Sequence, residues 1–286
     1  MYPVIILGMH RSGTTMLTRL LEDAGLFVGV KKDGNYEAKL FLKINRWLFG
    51  QAGASWDNPY NMRFLSADTA ALLDEVVRLN LAGPEAIRYL GWRKYLRYRG
   101  FERLDFPWGW KDPRNTYTLP VWRKLFPAAR VLHIYRNPVD VAFSHCKRER
   151  FMLNLPCFKP VDRLREFFTV GTKTYLRGSL RLSDPREGLA LWRDYTSQAL
   201  SLDAEWGGRI LHVCYESVLA SPREELLKVL AFCGLSQSPA RLEALVEGLD
   251  RARRYAFLER PEAVALYREI RGDPLLQRLG YGELVP

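Results

Sequence analysis

The chain has 286 residues, 48% hydrophobic and 26% charged, with a net charge of +11. That composition excludes a disordered or fibrous chain, and the length suits one large globular domain over residues 1–286. So strong a positive balance calls for an anionic partner: nucleic acid, an acidic membrane or a phosphorylated small molecule.

Residues 3–7 form a short unbroken apolar run, the pattern of a fully buried parallel strand. The run ends at Gly8, and Met16, Leu17, Leu20 and Leu21 then follow at helical spacing. Between them, Gly8-Met9-His10-Arg11-Ser12-Gly13-Thr14-Thr15 has the G-x4-G skeleton of a phosphate loop, with a strand before it and a helix after it. The backbone amides of such a loop, with the helix N-terminus, can cradle a phosphate. Thr14 stands where a nucleoside triphosphatase carries lysine. The loop's cation is therefore Arg11. The bland alternative is a glycine-rich turn that only caps the helix.

A helix is predicted over residues 36–49. Leu40, Phe41, Ile44, Trp47 and Leu48 form its apolar face and Glu37 falls in the same stripe, while Lys39, Lys43 and Arg46 lie opposite. A carboxylate there either complements the helix dipole, with Asn35 as cap, or does chemistry. Further helical patterns cover residues 66–81 and 85–99. The aromatic run Trp108-Gly109-Trp110 then leads into Lys111-Asp112-Pro113-Arg114, which reads as neither helix nor plain surface loop. Lys111 is a candidate cation; the bland alternative is a local Lys–Asp or Arg–Asp pair at a turn.

Residues 130–135, RVLHIY, read as a second strand, followed by Arg136, Asn137 and Pro138. Asn137 suits an N-cap, Pro138 the first helical position, and Asp140 the first turn. Asn137 to Ser144 spans nearly two helical turns, so Ser144 shares the face of the cap, towards Arg136. Arg136 could grip a phosphate in a fork while Ser144 donates a hydroxyl. Helices are expected at 163–182 and 187–206, a third strand at 209–215 ending on Tyr215, and a helix from about Pro222.

Strands alternating with helices predict a three-layer α/β/α fold with a mainly parallel central sheet and large helical insertions. Ligands in such sheets bind at the carboxyl ends of the strands, so residues 8–15, Arg136 and Tyr215 are expected to share one crevice. His133 and His212 fall within strands and read as core; His145 follows Ser144 and reads as peripheral. Of the four cysteines, Cys214 and Cys233 read as buried, reduced thiols. No CxxC pair or zinc-ligand spacing occurs, so no metal site is expected. No segment reaches the roughly 18 apolar residues of a membrane span, the first residues do not read as a signal peptide, and the expected location is the cytoplasm.

The loop R-S-G-T-T resembles the 5′-phosphosulfate loop of sulfotransferases, which use 3′-phosphoadenosine-5′-phosphosulfate (PAPS), especially the tyrosylprotein and bacterial branches. The run Arg136…Ser144 resembles that family's 3′-phosphate site, and Tyr215-Glu216 followed by Pro222 resembles its Y-E-x5-P segment, whose tyrosine contacts the adenine. The Lys111-Asp112-Pro113 triplet is similar to one in the tyrosylprotein branch, where the lysine helps to hold the sulfuryl group and leaving oxygen. The segment Asn35-Tyr36-Glu37…Phe41…Asn45-Arg46-Trp47-Leu48 looks like bacterial members. The comparable glutamate of the tyrosylprotein branch is the base.

The resemblance implies a P-loop-like fold that moves a sulfuryl group from PAPS to a hydroxyl or amine acceptor, releases PAP, and requires no metal. It assigns donor binding to Arg11, Ser12, Gly13, Thr14, Thr15, Arg136, Ser144 and Tyr215. Glu37, Lys111, Arg11 and His10 are the candidates for the chemistry, with His10 the rival of Glu37 as base. Arg251, Arg253, Arg254 and Arg271 are candidates for the family's basic C-terminal loop. Residues 57–106 and 151–208 match nothing in the family and are expected to form the pocket of a small-molecule, sugar, lipid or peptide acceptor. Two other classes compete. A P-loop kinase or NTPase is opposed by the missing lysine, and a nucleic-acid-binding protein by the lack of a reading motif.

Overall fold

A computed structural model describes residues 1–154, 167–168 and 178–284. They fall into two compact units, Met1–Arg136 with Tyr195–Arg254, and Asn137–Asp194 with Tyr255–Pro286.

The first unit is built on four parallel strands: β1 (Val4–Leu7), β2 (Gly109–Lys111), β3 (Arg130–Tyr135) and β4 (Ile210–Cys214), in the order β2-β1-β3-β4. Ile6 of β1 lies opposite Lys111 on one side and Leu132 on the other. Side chains alternate between the two faces of a strand, and here both faces are covered. On one face Ile5, Leu7, Trp110 and Val131 pack with Phe41, Leu73, Tyr89 and Trp122. These come from helices α2 (Lys39–Gln51), α3 (Ala67–Ala82), α4 (Ile87–Tyr98) and α5 (Asn115–Leu125). The rings of Phe41 and Trp110 stack at 3.9 Å and 5°. On the other face Ile6, Leu132, Ile134 and Val213 pack with Leu17 of α1 (Thr14–Asp23). Helices Tyr215–Ala220, Pro222–Cys233 and Pro239–Glu247 complete that layer through Leu219, Val229 and Leu245. Each fully buried Ile, Leu or Val contributes about 1.5–3 kcal/mol. The unbroken apolar run of β1 is therefore the price of two-sided cover.

The three-layer expectation holds, and four of its details change. The three-residue β2 was not predicted, since a strand so short carries no period to read. Tyr215 opens a helix instead of closing a strand. The helix expected from residue 36 begins at Lys39. The Asp33 carboxylate accepts the amides of Asn35 and Glu37 at 2.9 and 2.8 Å, and Tyr36 has a φ of 64°. A side chain that captures local amides competes with the helix. The expected helix 187–206 divides into Pro185–Ser201 and Asp203–Trp206. Most of the helix expected at 163–182 lies outside the described residues, as does Cys157. Cys233 is buried, which pushes its thiol up to about 12, whereas Cys214 on the edge strand β4 is half-buried.

The second unit contains helix α6 (Pro138–Asn154), the first ten residues of Pro185–Ser201, and helices Pro261–Ile270 and Pro274–Arg278. Asn137 caps α6 as its sequence predicts, its Oδ1 accepting the amides of Val139 and Asp140 at 3.0 and 3.3 Å. Val139, Phe257, Ala263 and Tyr267 form a core there, and His145 is fully buried. No helix among the described residues is long and apolar enough to cross a membrane.

Gly8 joins β1 to the phosphate loop with a φ of 138°, and a Cβ on it would lie 2.1 Å from the carbonyl oxygen of Ile134. Both the backbone angle and the neighbouring strand forbid a side chain. Gly8→Ala should cost about 3 kcal/mol or more in urea unfolding; a cost under about 1 kcal/mol would mean that the two strand ends are not so tightly apposed.

Candidate active site

The loop between β1 and α1 supplies amides at the carboxyl end of the sheet. Arg11 and Gly13 adopt left-handed φ values of 70° and 93°, which break the run of the chain between strand and helix. Arg11 is exposed, and Ser12 and Thr14 are buried. The Ser12 Oγ is buried and has no hydrogen-bond partner in the protein. An orphaned hydroxyl inside a loop of this shape suits a ligand oxygen. Thr15 donates its hydroxyl to the carbonyl of Asn35, 3.1 Å away, which ties the start of α1 to the 33–37 turn.

Arg136 and Tyr215 stand immediately after β3 and β4. The Tyr215 ring lies against Gly13, where a Cβ would come within 2.4 Å of it. The guanidinium of Arg136 sits 4.5 Å over the same ring and donates to the carbonyl oxygen of Arg253 at 2.9 Å. The loop, Arg136 and Tyr215 thus converge as their sequence positions predict, and residues 250–254 reach the same place. Beside them opens a groove of about 550 Å³ lined by Met16, Arg19, Tyr215, Leu219, Leu245 and Arg253. Ser144 lies in the second unit, on α6, as does Arg271 in its own helix-end segment. The expected partnership of Ser144 with Arg136 therefore remains a matter of sequence spacing.

On the far side of β1 lies a buried cluster of charges. Lys111, the last residue of β2, donates through Nζ to Glu37 Oε1 at 3.1 Å, and the two side chains are 1% and 4% exposed. Arg114 Nη1 lies 3.9 Å from the other oxygen of Glu37 and donates to Asp112 Oδ1 at 3.0 Å. So Lys111 pairs with Glu37 and not with the neighbouring Asp112. Burial, reinforced by the negative charge of Asp112, pushes the Glu37 carboxyl up to about 7 against the pull of Lys111 and Arg114. A carboxylate poised near neutrality can take or hold a proton at working pH. Glu37 precedes α2 and so is not a first-turn charge; that bland alternative falls away with the position of the helix.

Asn45, named in the sequence only as part of the segment shared with bacterial members and given no role there, holds this cluster in place. Its Nδ2 donates to Asp112 Oδ2 at 3.0 Å and to Asn115 Oδ1 at 2.9 Å, while its Oδ1 accepts from Thr118 and Trp122 at 2.8 and 3.1 Å. The signal was available: an asparagine inside the apolar stripe Phe41–Ile44–Leu48 has to be paired once buried. His10, the rival base, has its ring edge-on to Trp56 at 4.8 Å and near Tyr195 at 6.5 Å. Tyr195 is buried and donates its hydroxyl to the carbonyl of Trp56 at 2.8 Å. This aromatic group, too, was not predicted. His133 is a buried core residue as expected, its imidazole pushed down to about 3 by desolvation and the neighbouring His212, whereas His212, also expected in the core, is half-buried on the edge strand with Nε2 2.8 Å from Asp203.

Comparison with known proteins places residues 3–239 within the model of the sulfotransferase family. An uncharacterized protein of Aquifex aeolicus (strain VF5) is 23% identical over 280 residues, 94% of this chain and 29% of its own length. The chain therefore spans less than a third of that relative. Among solved structures, the sulfotransferase domain of the Synechococcus PCC 7002 olefin synthase is 21% identical, with 87% of this chain and 78% of that one covered at a TM-score of 0.45. A sulfotransferase from Alicyclobacillus acidocaldarius is 18% identical, with 89% and 99% covered at a TM-score of 0.46.

Asn45→Ala would remove one buried hydrogen bond each from Asp112, Asn115, Thr118 and Trp122, leaving Arg114 on Asp112 and Trp122 on Thr118, at a cost of about 3 kcal/mol. Thr116 is the control: its buried Oγ1 has no partner, so Thr116→Val should be neutral or stabilising. Urea denaturation of both variants checks the contrast, and equal losses would contradict it.

Proposed function

The chain belongs to the sulfotransferase family, and we propose that it moves a sulfuryl group from PAPS to an acceptor hydroxyl. The observation that supports this most is the buried Lys111–Glu37 pair next to a phosphate loop whose own cation is Arg11. In-line transfer needs positive charge for the transferring and bridging oxygens, and a base for the acceptor. Lys111 and Arg11 supply the first, and Glu37 the second. The acceptor oxygen bonds to sulfur as the bond from sulfur to the bridging phosphate oxygen breaks. The bonding electrons leave with PAP and the acceptor proton passes to Glu37. No metal has a part in this scheme.

The loop amides with Ser12, Thr14 and Thr15 would take the 5′-phosphosulfate, and the groove beside Tyr215 the adenosine. Arg136 would take the 3′-phosphate, helped by the Arg251–Arg254 segment whose carbonyl it already holds. Incubation with PAPS and a panel of alcohols, phenols, sugars, lipids and peptides, read by mass spectrometry, tests the reaction. Sulfated product in excess EDTA is expected; transfer only with a divalent ion would count against it.

Donor recognition predicts that PAP binds far more tightly than AMP or ATP. Arg136→Ala should remove most of PAP's advantage over AMP, about 1.5–3 kcal/mol for one charge-assisted contact. Equal calorimetric affinities of the unaltered protein for PAP and AMP would rule out the two-phosphate reading.

The role of Glu37 predicts a separable pair of effects. Glu37→Gln should slow transfer about 10²–10⁴-fold. It should leave stability unchanged or slightly raised at neutral pH, because a carboxyl whose value rises to about 7 on folding already favours its neutral form in this site. Adding Lys111→Met should leave turnover low. Normal turnover in Glu37→Gln, with loss in His10→Ala, would transfer the base to His10.

A further inference from the structure

Helix α4 carries an exposed apolar ridge away from the site. Trp92 is 65% exposed, Leu96 one turn later is 54%, and Val30 is 50%. Trp92 and Leu96 follow a kink at Gly91, whose φ of 73° and ψ of 166° interrupt the helix. Val30 donates its amide to the carbonyl of Tyr89 at 2.9 Å, and its Cγ1 would lie 3.4 Å from a Cβ on Gly91. Val30 thus rests against the kink, and Trp92 follows it directly. Beside the ridge on the same helix, Tyr95 and Tyr98 are partly buried and pack against the core.

Cations surround the ridge: Lys31, Arg88, Arg93, Arg97 and Arg99 are all exposed. The Lys31 amide donates to the Arg88 carbonyl at 3.3 Å, which places these two on adjoining backbone. Among the described residues, Glu85 lies beside Arg88 at 2.9 Å and Asp105 beside Arg97 at 3.7 Å. An excess of fixed positive charge around an exposed tryptophan and two aliphatic side chains is the combination that binds at a lipid headgroup boundary.

We propose that this face docks onto an anionic lipid surface. A lipid surface needs only a few inserted side chains within a cationic rim. A stable protein interface buries roughly 800 Å² on each partner, far more than three side chains provide. Single-stranded nucleic acid wants flat rings on which bases stack, and Val30 and Leu96 offer none. The docked edge continues into the candidate site. Lys32 bridges to Ala38 and the Lys39 amide donates to the Lys31 carbonyl at 2.9 Å, so one short ribbon links Val30 to Glu37.

The test is co-sedimentation of the full chain with vesicles of phosphatidylcholine, alone or with added phosphatidylglycerol. Binding to the anionic vesicles and release by salt are expected, because screening shortens the reach of surface charge. Arg88→Ala, Arg93→Ala and Arg97→Ala together should weaken partitioning about 100-fold. Trp92→Ser with Leu96→Ser should weaken it about tenfold or more at an unchanged melting temperature. Brominated lipid should quench tryptophan emission in the unaltered protein and less so in Trp92→Phe. The proposal fails if anionic vesicles do not pellet the protein, or if the serine variant binds as well as the parent. It also fails if a single-stranded oligonucleotide is preferred to the anionic vesicles, or if the ridge supports self-association without vesicle binding.

Discussion

A single buried ion pair organises the carboxyl end of this sheet. Lys111 and Glu37 are withdrawn almost wholly from water, and each would be intolerable there alone. Everything nearby serves to make the pair bearable and to hold it still. Arg114 approaches the second Glu37 oxygen, Asp112 holds Arg114, and Asn45 holds Asp112 with all its hydrogen-bonding capacity in use. The arrangement opposes folding. Glu37 has a folded value of about 7 against an ordinary 4.5, so the native state binds its proton more tightly than the unfolded chain does. Its contribution to stability is present below pH 4.5 and is lost as pH rises through 7. A fold that tolerates such a loss gains a carboxylate able to accept a proton near neutrality.

The second constraint is steric. Gly8 has no room for a Cβ against β3, and Gly13 has none against Tyr215. These two approaches fix the phosphate loop to the neighbouring strand ends. Arg136 and Tyr215 then lie beside the loop because β1, β3 and β4 are parallel and in register, so their carboxyl ends come out together. Topology, not local sequence, assembles residues that are more than a hundred positions apart.

Much of this was legible in the amino-acid sequence, for definite reasons. A strand buried on both faces reads as an unbroken apolar run, and Gly8 and Gly13 frame the loop that follows. Asn137 and Pro138 announce a helix by their own chemistry, and the cap is as they predict. The convergence of the loop, Arg136 and Tyr215 follows from the parallel sheet. What escaped reading depended on tertiary contacts. Strand β2 has only three residues and exists because β1 pairs with it. The start of α2 is displaced by the Asp33 side chain, an effect that apolar periodicity does not register. The partner of Lys111 is 74 residues away, while Asp112 is its neighbour in the chain, so adjacency pointed the wrong way. Trp56 and Tyr195, which flank His10, come from segments without any pattern that links them.

The central claim is that burial makes Glu37 a proton acceptor near pH 7. Titration of its side-chain carboxyl by ¹³C NMR, with glutamate labelled and the signal assigned by its loss in Glu37→Gln, tests this without any knowledge of the acceptor. The account predicts a midpoint near 7, well above the ordinary 4.5. A midpoint at or below 4.5 would show that the pull of Lys111 and Arg114 overcomes burial, and would contradict the assignment of Glu37 as base.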